Sequence, residues 1–188
     1  MKEIVIIGGP NGAGKTTAAR VILADFFRIH EFLNADEIAR EIAPDNVESA
    51  ALAAGRVMIE RMRYLVQHGL SFGFETTCAG KSYLRLLGEC KQNGWLIRLL
   101  FFSLPSPDYA ASRVARRVGE GGHSIPLNVI HRRFYAGIVN MRDLYLPLAH
   151  DAEIYDNSDR QRILIAEKRA GRPVLIHDTE RWRFIEEA

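Results

Sequence analysis

Gly9-Pro10-Asn11-Gly12-Ala13-Gly14-Lys15-Thr16 is the stretch on which the fold turns. It fits G-x-x-x-x-G-K-[ST] at every fixed position, in the setting the motif requires. Residues 3–7 before it form a short apolar run, as in a buried strand, and residues 15–27 after it have a helical pattern. Strand, glycine-rich loop and helix together make a cradle for phosphate. The glycines let backbone N–H groups turn inward around phosphate oxygens. The helix N-terminus adds positive potential. Lys15 is placed to reach the β- and γ-phosphates of a nucleotide, and the Thr16 hydroxyl to enter a magnesium shell. A site built from Gly9, Pro10, Asn11, Gly12, Ala13, Gly14, Lys15, Thr16 and Thr17 is expected, with ATP and Mg2+ as cofactors. The loop leaves the fate of the γ-phosphate open, since motors, switches, transporter ATPases and kinases share it.

Outward from the loop, short apolar runs alternate with amphipathic stretches. Strands are expected at residues 29–33, 70–74, 95–104 and 152–155. Helices are expected at 47–66, 81–93 and 107–118, and again from Pro126, with Ile130, Phe134, Ile138 and Met141 on one side. Residues 161–178 read as a closing hairpin. The fold class is therefore α/β: a P-loop three-layer sandwich with a mainly parallel sheet and a helical lid at about 107–145. One domain spanning 1–188 is expected.

Composition narrows the setting. The hydrophobic fraction of 47% and charged fraction of 26% are ordinary for a globular chain. A net charge of +2 is too small to argue for nucleic acid or an anionic membrane. No apolar run nears the ~20 residues of a membrane helix. MKEIVIIGG reads as a strand rather than a secretory leader, so a cytoplasmic location is expected. Cys78 and Cys90 lack zinc spacing and read as free thiols, Cys90 buried in a helix.

Other polar positions bear on the chemistry. Asp36 follows the second strand, where strand ends face the ligand crevice. It suits a general base for a substrate hydroxyl or a magnesium partner, or else the cap of the next helix. Glu75, before Thr76, follows the third strand. It suits a substrate hydroxyl or the magnesium shell, or else a solvated loop acid. The strand at 95–104 ends in Ser103-Leu104 without an acid, which lowers the case for a motor or transporter ATPase. Arg113 and Arg117 share one helix face with Arg116 close by, and Arg132 and Arg133 lie on the following helix. Arginines on two hinged helices suit a lid that stabilises charge on a transferring phosphoryl group, or else a solvated basic face or RNA contact. Arg132 and Arg133 point about 100° apart, so one of them, Arg133, is expected to face the site. His123 reads as a hydrogen-bonding lid residue. Asp156 and Asn157 read as turn formers rather than adenine contacts.

Taken together, GPNGAGKTT, NADEIA, FETT, RVARRVGEGGHSIP with HRRF, and YDNS resemble the zeta-toxin-like P-loop kinases. The resemblance covers most of the chain. It implies that Asp36 is the general base, that Glu75, before Thr76, binds the acceptor, and that Arg117 and Arg133, with Arg113, clamp the ATP phosphates; Thr76 and His123 are expected beside the acceptor. It implies transfer of the γ-phosphoryl group to a small-molecule hydroxyl, in the best-known members the 3′-hydroxyl of UDP-N-acetylglucosamine. It also implies a small helical antitoxin as a partner that blocks the nucleotide site. Two other readings stand beside it. One is a slow or non-catalytic ATP-binding switch acting through a protein. The other is a kinase for another acceptor, such as an antibiotic, nucleotide, dinucleotide or nucleic-acid end.

Overall fold

The computed structural model describes every residue except Met1, Glu48, His123 and Arg160. In chain order the elements are β1 (Glu3–Gly8), α1 (Lys15–Asp25), β2 (Glu31–Asn34), α2 (Ala35–Ile42), α3 (Ala51–Gln67), β3 (Phe72–Thr76) and α4 (Leu84–Gln92). They continue with β4 (Leu96–Ser103), α5 (Pro107–Gly119), α6 (Leu127–Asn140), a π-helical turn (Met141–Tyr145) and α7 (Leu146–Leu148). The chain closes with β5 (Asp151–Asp156), β6 (Ile163–Lys168), β7 (Leu175–Ile176) and α8 (Thr179–Glu187).

The strands make one sheet in the order β2-β3-β1-β4-β5-β6-β7. The first five are parallel, and β6 and β7 join antiparallel. Ile4, Val5, Ile6 and Ile7 are wholly buried, as a central strand covered on both faces requires. Phe72, Phe74, Phe101 and Phe102 on the neighbouring strands are equally buried. The expected α/β class with a mainly parallel sheet is borne out. No helix among the described residues is long and apolar enough to cross a membrane.

Sheet order places the site. The C-terminal ends of β1, β2 and β3 lie side by side, with Gly8 paired to Thr76 and Asn34 to Glu75. The residues leaving these strands therefore converge on one edge of the sheet, as they do at the ligand crevice of open α/β folds. Gly9 leaves β1 at φ 141°, and a Cβ there would overlap the carbonyl oxygen of Phe102 on β4. Only glycine allows this turn. Two features depart from the sequence reading. The helix begun at Leu127 passes into the π-helical turn, and α8 closes the chain.

Candidate active site

The phosphate loop ends at Gly14, which stands before the first residue of α1 in the left-handed conformation, φ 77°. Lys15 is 5% exposed. Its Nζ donates to the Pro10 carbonyl at 2.9 Å and stands 3.5 Å from Glu75 Oε1. The Thr16 hydroxyl donates to Glu75 Oε2 at 2.7 Å, and Asn34 Nδ2 donates to the same oxygen at 3.1 Å. Glu75, with its side chain 12% exposed, is thus the meeting point of the phosphate loop and β2, not a solvated loop acid.

Asp36 does not cap α2. That role falls to Asn34, whose Oδ1 accepts from the Asp36 N–H at 2.9 Å. Asn34 therefore works at both ends, fixing the first turn of α2 and steering Glu75. The Asp36 side chain is left exposed toward a cavity of about 410 Å³. That cavity is bounded by Lys15 and Glu75 on one side, Asp36 on another, Thr76 and Tyr83 at its base, and Arg132 and Arg133 of α6. Burial raises the Tyr83 pKa, and the charge of Asp36 adds to the effect. The step of about 100° between adjacent helical residues does not take Arg132 out of the site: both arginines line the cavity. Asn11 also lines it. This side chain is 7% exposed, and its Oδ1 has no hydrogen-bond partner.

Another cavity, of about 330 Å³, shares Lys15 and Glu75 with the Asp36 cavity. Gly12, Gly14, Thr16 and Thr17 form its floor, and Arg113, Arg116 and Arg117 of α5 form its wall. The arginine cluster is therefore divided, with α5 serving the phosphate-loop cavity and α6 the Asp36 cavity. Lys15 and Glu75 line both.

Arg113 Nη1 donates to the Asn157 carbonyl at 2.6 Å, and Asn157 Nδ2 donates to the Ala13 carbonyl at 2.7 Å. Asn157 thus ties the phosphate loop to α5, a role beyond turn formation. His123 lies outside the described residues. Thr76 Oγ1 accepts from the Cys78 N–H at 3.0 Å, opening the loop that leaves β3. Asn140 Nδ2 then donates to the Cys78 and Ala79 carbonyls, both at 3.0 Å, and the Tyr145 hydroxyl donates to the Gly80 carbonyl at 2.8 Å. Gly137 presses the same loop so closely that a Cβ would overlap the Thr77 carbonyl oxygen. Cys78 is fully enclosed. Burial pushes its thiol up to about 12, against smaller opposing effects from Lys15 and the Gly9 N–H, so it is no nucleophile at neutral pH.

No group of three or more His, Cys, Asp or Glu side chains that would cage a metal occurs among the described residues. The donor set fits magnesium nonetheless, because that ion is commonly held by one hydroxyl or carboxylate together with phosphate oxygens and water. Thr16 and Glu75 present such a set.

A family model described as an AAA domain matches residues 4–134, which take in the phosphate loop, Asp36, Glu75 and the arginines of α5 and α6. An uncharacterized protein of Haemophilus influenzae is 29% identical over 126 residues, covering 67% of this chain and 88% of its own. Among solved structures, a chain of the PezAT chromosomal toxin–antitoxin system of Streptococcus pneumoniae matches with a TM-score of 0.67 at 21% identity. That match covers 89% of this chain and 72% of the other. AvrRxo1-ORF1:-ORF2 with ATP matches with a TM-score of 0.74 at 15% identity, covering 98% of this chain and 63% of the other. The chain thus spans less than two thirds of the AvrRxo1 chain. At these identities the two likenesses show the fold alone, and the α/β architecture expected from the sequence is borne out.

Proposed function

The chain belongs to the AAA-domain family, and from that premise we propose that it is an ATP-dependent kinase acting on a small-molecule hydroxyl. The observation that carries this reading is the pair of cavities sharing Lys15 and Glu75 as a common wall. A motor or switch needs a place for nucleotide. A kinase needs a second place, opening on the γ-phosphate end of the first, with a proton acceptor in it. The Asp36 cavity, which shares Lys15 and Glu75 with the phosphate-loop cavity, is assigned that role in this reading, with Asp36 as the proton acceptor.

In this reading the nucleotide lies over Gly9 to Thr17, with Lys15 and the loop N–H groups on its phosphates. Bound magnesium would supply charge neutralisation between phosphate oxygens, held through Thr16 with Glu75 behind it. The acceptor hydroxyl gives its proton to Asp36. Its oxygen bonds to the γ-phosphorus as the bond to the bridging oxygen breaks, and ADP leaves. Arg117 and Arg113 from α5, and Arg133 with Arg132 from α6, face the charge that builds during transfer. Thr76 and Glu75 line the acceptor side, and His123, read from the sequence as a hydrogen-bonding lid residue, is assigned there with them.

The acceptor implied by that resemblance is a nucleotide sugar such as UDP-N-acetylglucosamine. A small helical antitoxin over the nucleotide cavity belongs to the same proposal, supported by the fold shared with a chain of a toxin–antitoxin system. A cytoplasmic location goes with it.

The test is mass spectrometry of acceptors incubated with ATP and magnesium, across nucleotide sugars, nucleosides, dinucleotides and hydroxy acids. Wild type is expected to make a product one phosphoryl group heavier. Asp36→Asn is expected to bind ATP as before and lose transfer by roughly two to four orders of magnitude. Equal turnover by the two proteins would remove Asp36 as the base. ATP binding with no product from any acceptor would favour a partner-dependent switch.

A further inference from the structure

The Asp36 cavity continues into an annex of about 140 Å³ with a different lining. Ala35, Asp36 and Arg133 belong to both spaces. Beyond them the annex is walled by Ala39, Val47 and Ala51 on one side and by Ile125, Pro126 and Val129 on the other. Among the described residues, Asp36 and Arg133, which border both spaces, supply its only polar side chains. The main cavity is the opposite in character, with Asn11, Asn34, Thr76 and Thr77 and the guanidinium pair Arg132 and Arg133 around it.

We propose that the acceptor is a hydroxylated anion bearing an apolar ring or branched alkyl group. Its anionic group, a carboxylate or phosphate, lies on Arg132 and shares Arg133 with the transferring phosphoryl group, its hydroxyl faces Asp36, and its apolar group fills the annex. The proposal rests on the kinase reading for the role of Asp36. Its substrate chemistry rests on the two linings.

Three physical points carry it. Two adjacent guanidinium groups of one helix line the same cavity and, among the described residues, neither is in an ion pair, so they attract an anion there, and the fork of either can hold it by paired N–H donors. The annex matches a six-membered ring in size, since an apolar protein cavity of about 150 Å³ takes up benzene. The annex also rejects a pyrimidine base. The polar edges of uracil would be desolvated against alanine and valine side chains and left largely unpaired there. At this position the annex therefore favours an apolar ring over a uracil base.

The experiment compares three matched probes: 3-phenyllactate (anion and ring), lactate (anion alone) and 3-phenylpropane-1,2-diol (ring alone). Binding is read by ligand-observed NMR with the full chain, and ADP release is read separately. 3-Phenyllactate is expected to bind at least about tenfold tighter than either partial probe. Val129→Phe, which fills the annex, is expected to abolish the advantage of 3-phenyllactate over lactate. Val129→Ala, which enlarges it, is expected to shift preference toward the naphthyl analogue. Replacing both Arg132 and Arg133 by alanine is expected to bring 3-phenyllactate down to the diol. Phenyl phosphate bearing a hydroxymethyl group, run alongside, decides between carboxylate and phosphate.

Equal binding of the three probes, or a phenyl preference untouched by Val129→Phe, would overturn the proposal. The two readings fail differently. The expected binding pattern with no ADP release sinks the kinase and leaves the acceptor class. Phosphorylation of UDP-N-acetylglucosamine without the pattern sinks the acceptor class and leaves the kinase.

Discussion

Glu75 touches Thr16, Lys15 and Asn34 with one carboxylate, so its charge and its shape are separable by mutation. Glu75→Gln keeps the size and one acceptor oxygen but removes the negative charge beside Lys15. Loss of one charged hydrogen-bonding partner is expected to lower turnover by roughly one to two orders of magnitude. Steady-state ADP release at saturating ATP measures it, and wild-type turnover would take Glu75 out of the chemistry. Glu75 and Asp36 were legible in the sequence because both are acids at strand ends beside a recognisable loop. Asn34 was not. Its two contacts depend on β2 pairing with β3, which no local pattern contains. Its position before an amphipathic helix was the available signal, since asparagine there is a favoured cap. The reading of Arg132 failed because it followed Cβ directions alone. A guanidinium on a long, flexible stem reaches a wide cavity from a position turned well aside.

α6 is less free than a lid suspended on two hinges. Gly137, Asn140 and the turn ending at Tyr145 fasten its C-terminal half to the loop between Cys78 and Gly80. The arginines near its other end are therefore positioned relative to Thr76 and Thr77 by backbone contact. Gly137→Val tests this. Its side chain cannot share space with the Thr77 carbonyl, and the helix and loop must part, at a cost of about 1–3 kcal/mol. A thermal melt should record the loss, and KM for the acceptor should rise more than KM for ATP, because the phosphate loop is not in the displaced contact. An equal rise in both would mean that α6 serves the whole site indifferently. The long elements were readable from their periodicity, and Ile130, Phe134, Ile138 and Met141 are buried as one face. The π-helical turn was not, because an apolar spacing carries on through it unchanged. α8 went unread because only Trp182 and Ile185 are buried in a short, highly charged segment. Asp178, which accepts from the Arg181 N–H at 3.0 Å, was the cap that marked its start.

Across the whole molecule, α8 is fastened to the sheet by Arg181, whose Nε donates to Asp156 Oδ2 at 2.8 Å. Burial alone would raise the Asp156 carboxyl, but hydrogen bonds from Arg181 and Ser158 outweigh it and leave the group below its usual value. A carboxyl depressed in the folded state stabilises the fold above the ordinary carboxylate pKa, and the benefit disappears as pH falls through the folded value. Wild type is therefore expected to melt higher than Arg181→Gln near neutral pH. The two curves should converge as pH falls from about 5 toward 2. A constant gap down to the lowest pH would assign the contact to packing instead.

The position of β1 in the middle of the sheet also has a consequence in time. Its partners are β3 and β4, so Ile4 is completed by Phe72 on one side and Ile97 on the other. During synthesis at about 5–20 residues per second, the most apolar strand of the protein waits roughly 5–20 s for its second neighbour to be made. Through that interval at least one row of backbone groups, and one face of a run of isoleucine and valine, have nothing permanent to pair with. The nascent chain is therefore most open to chaperones and self-association before residues 96–103 emerge, and a ribosome stalled short of them would hold out an open strand edge.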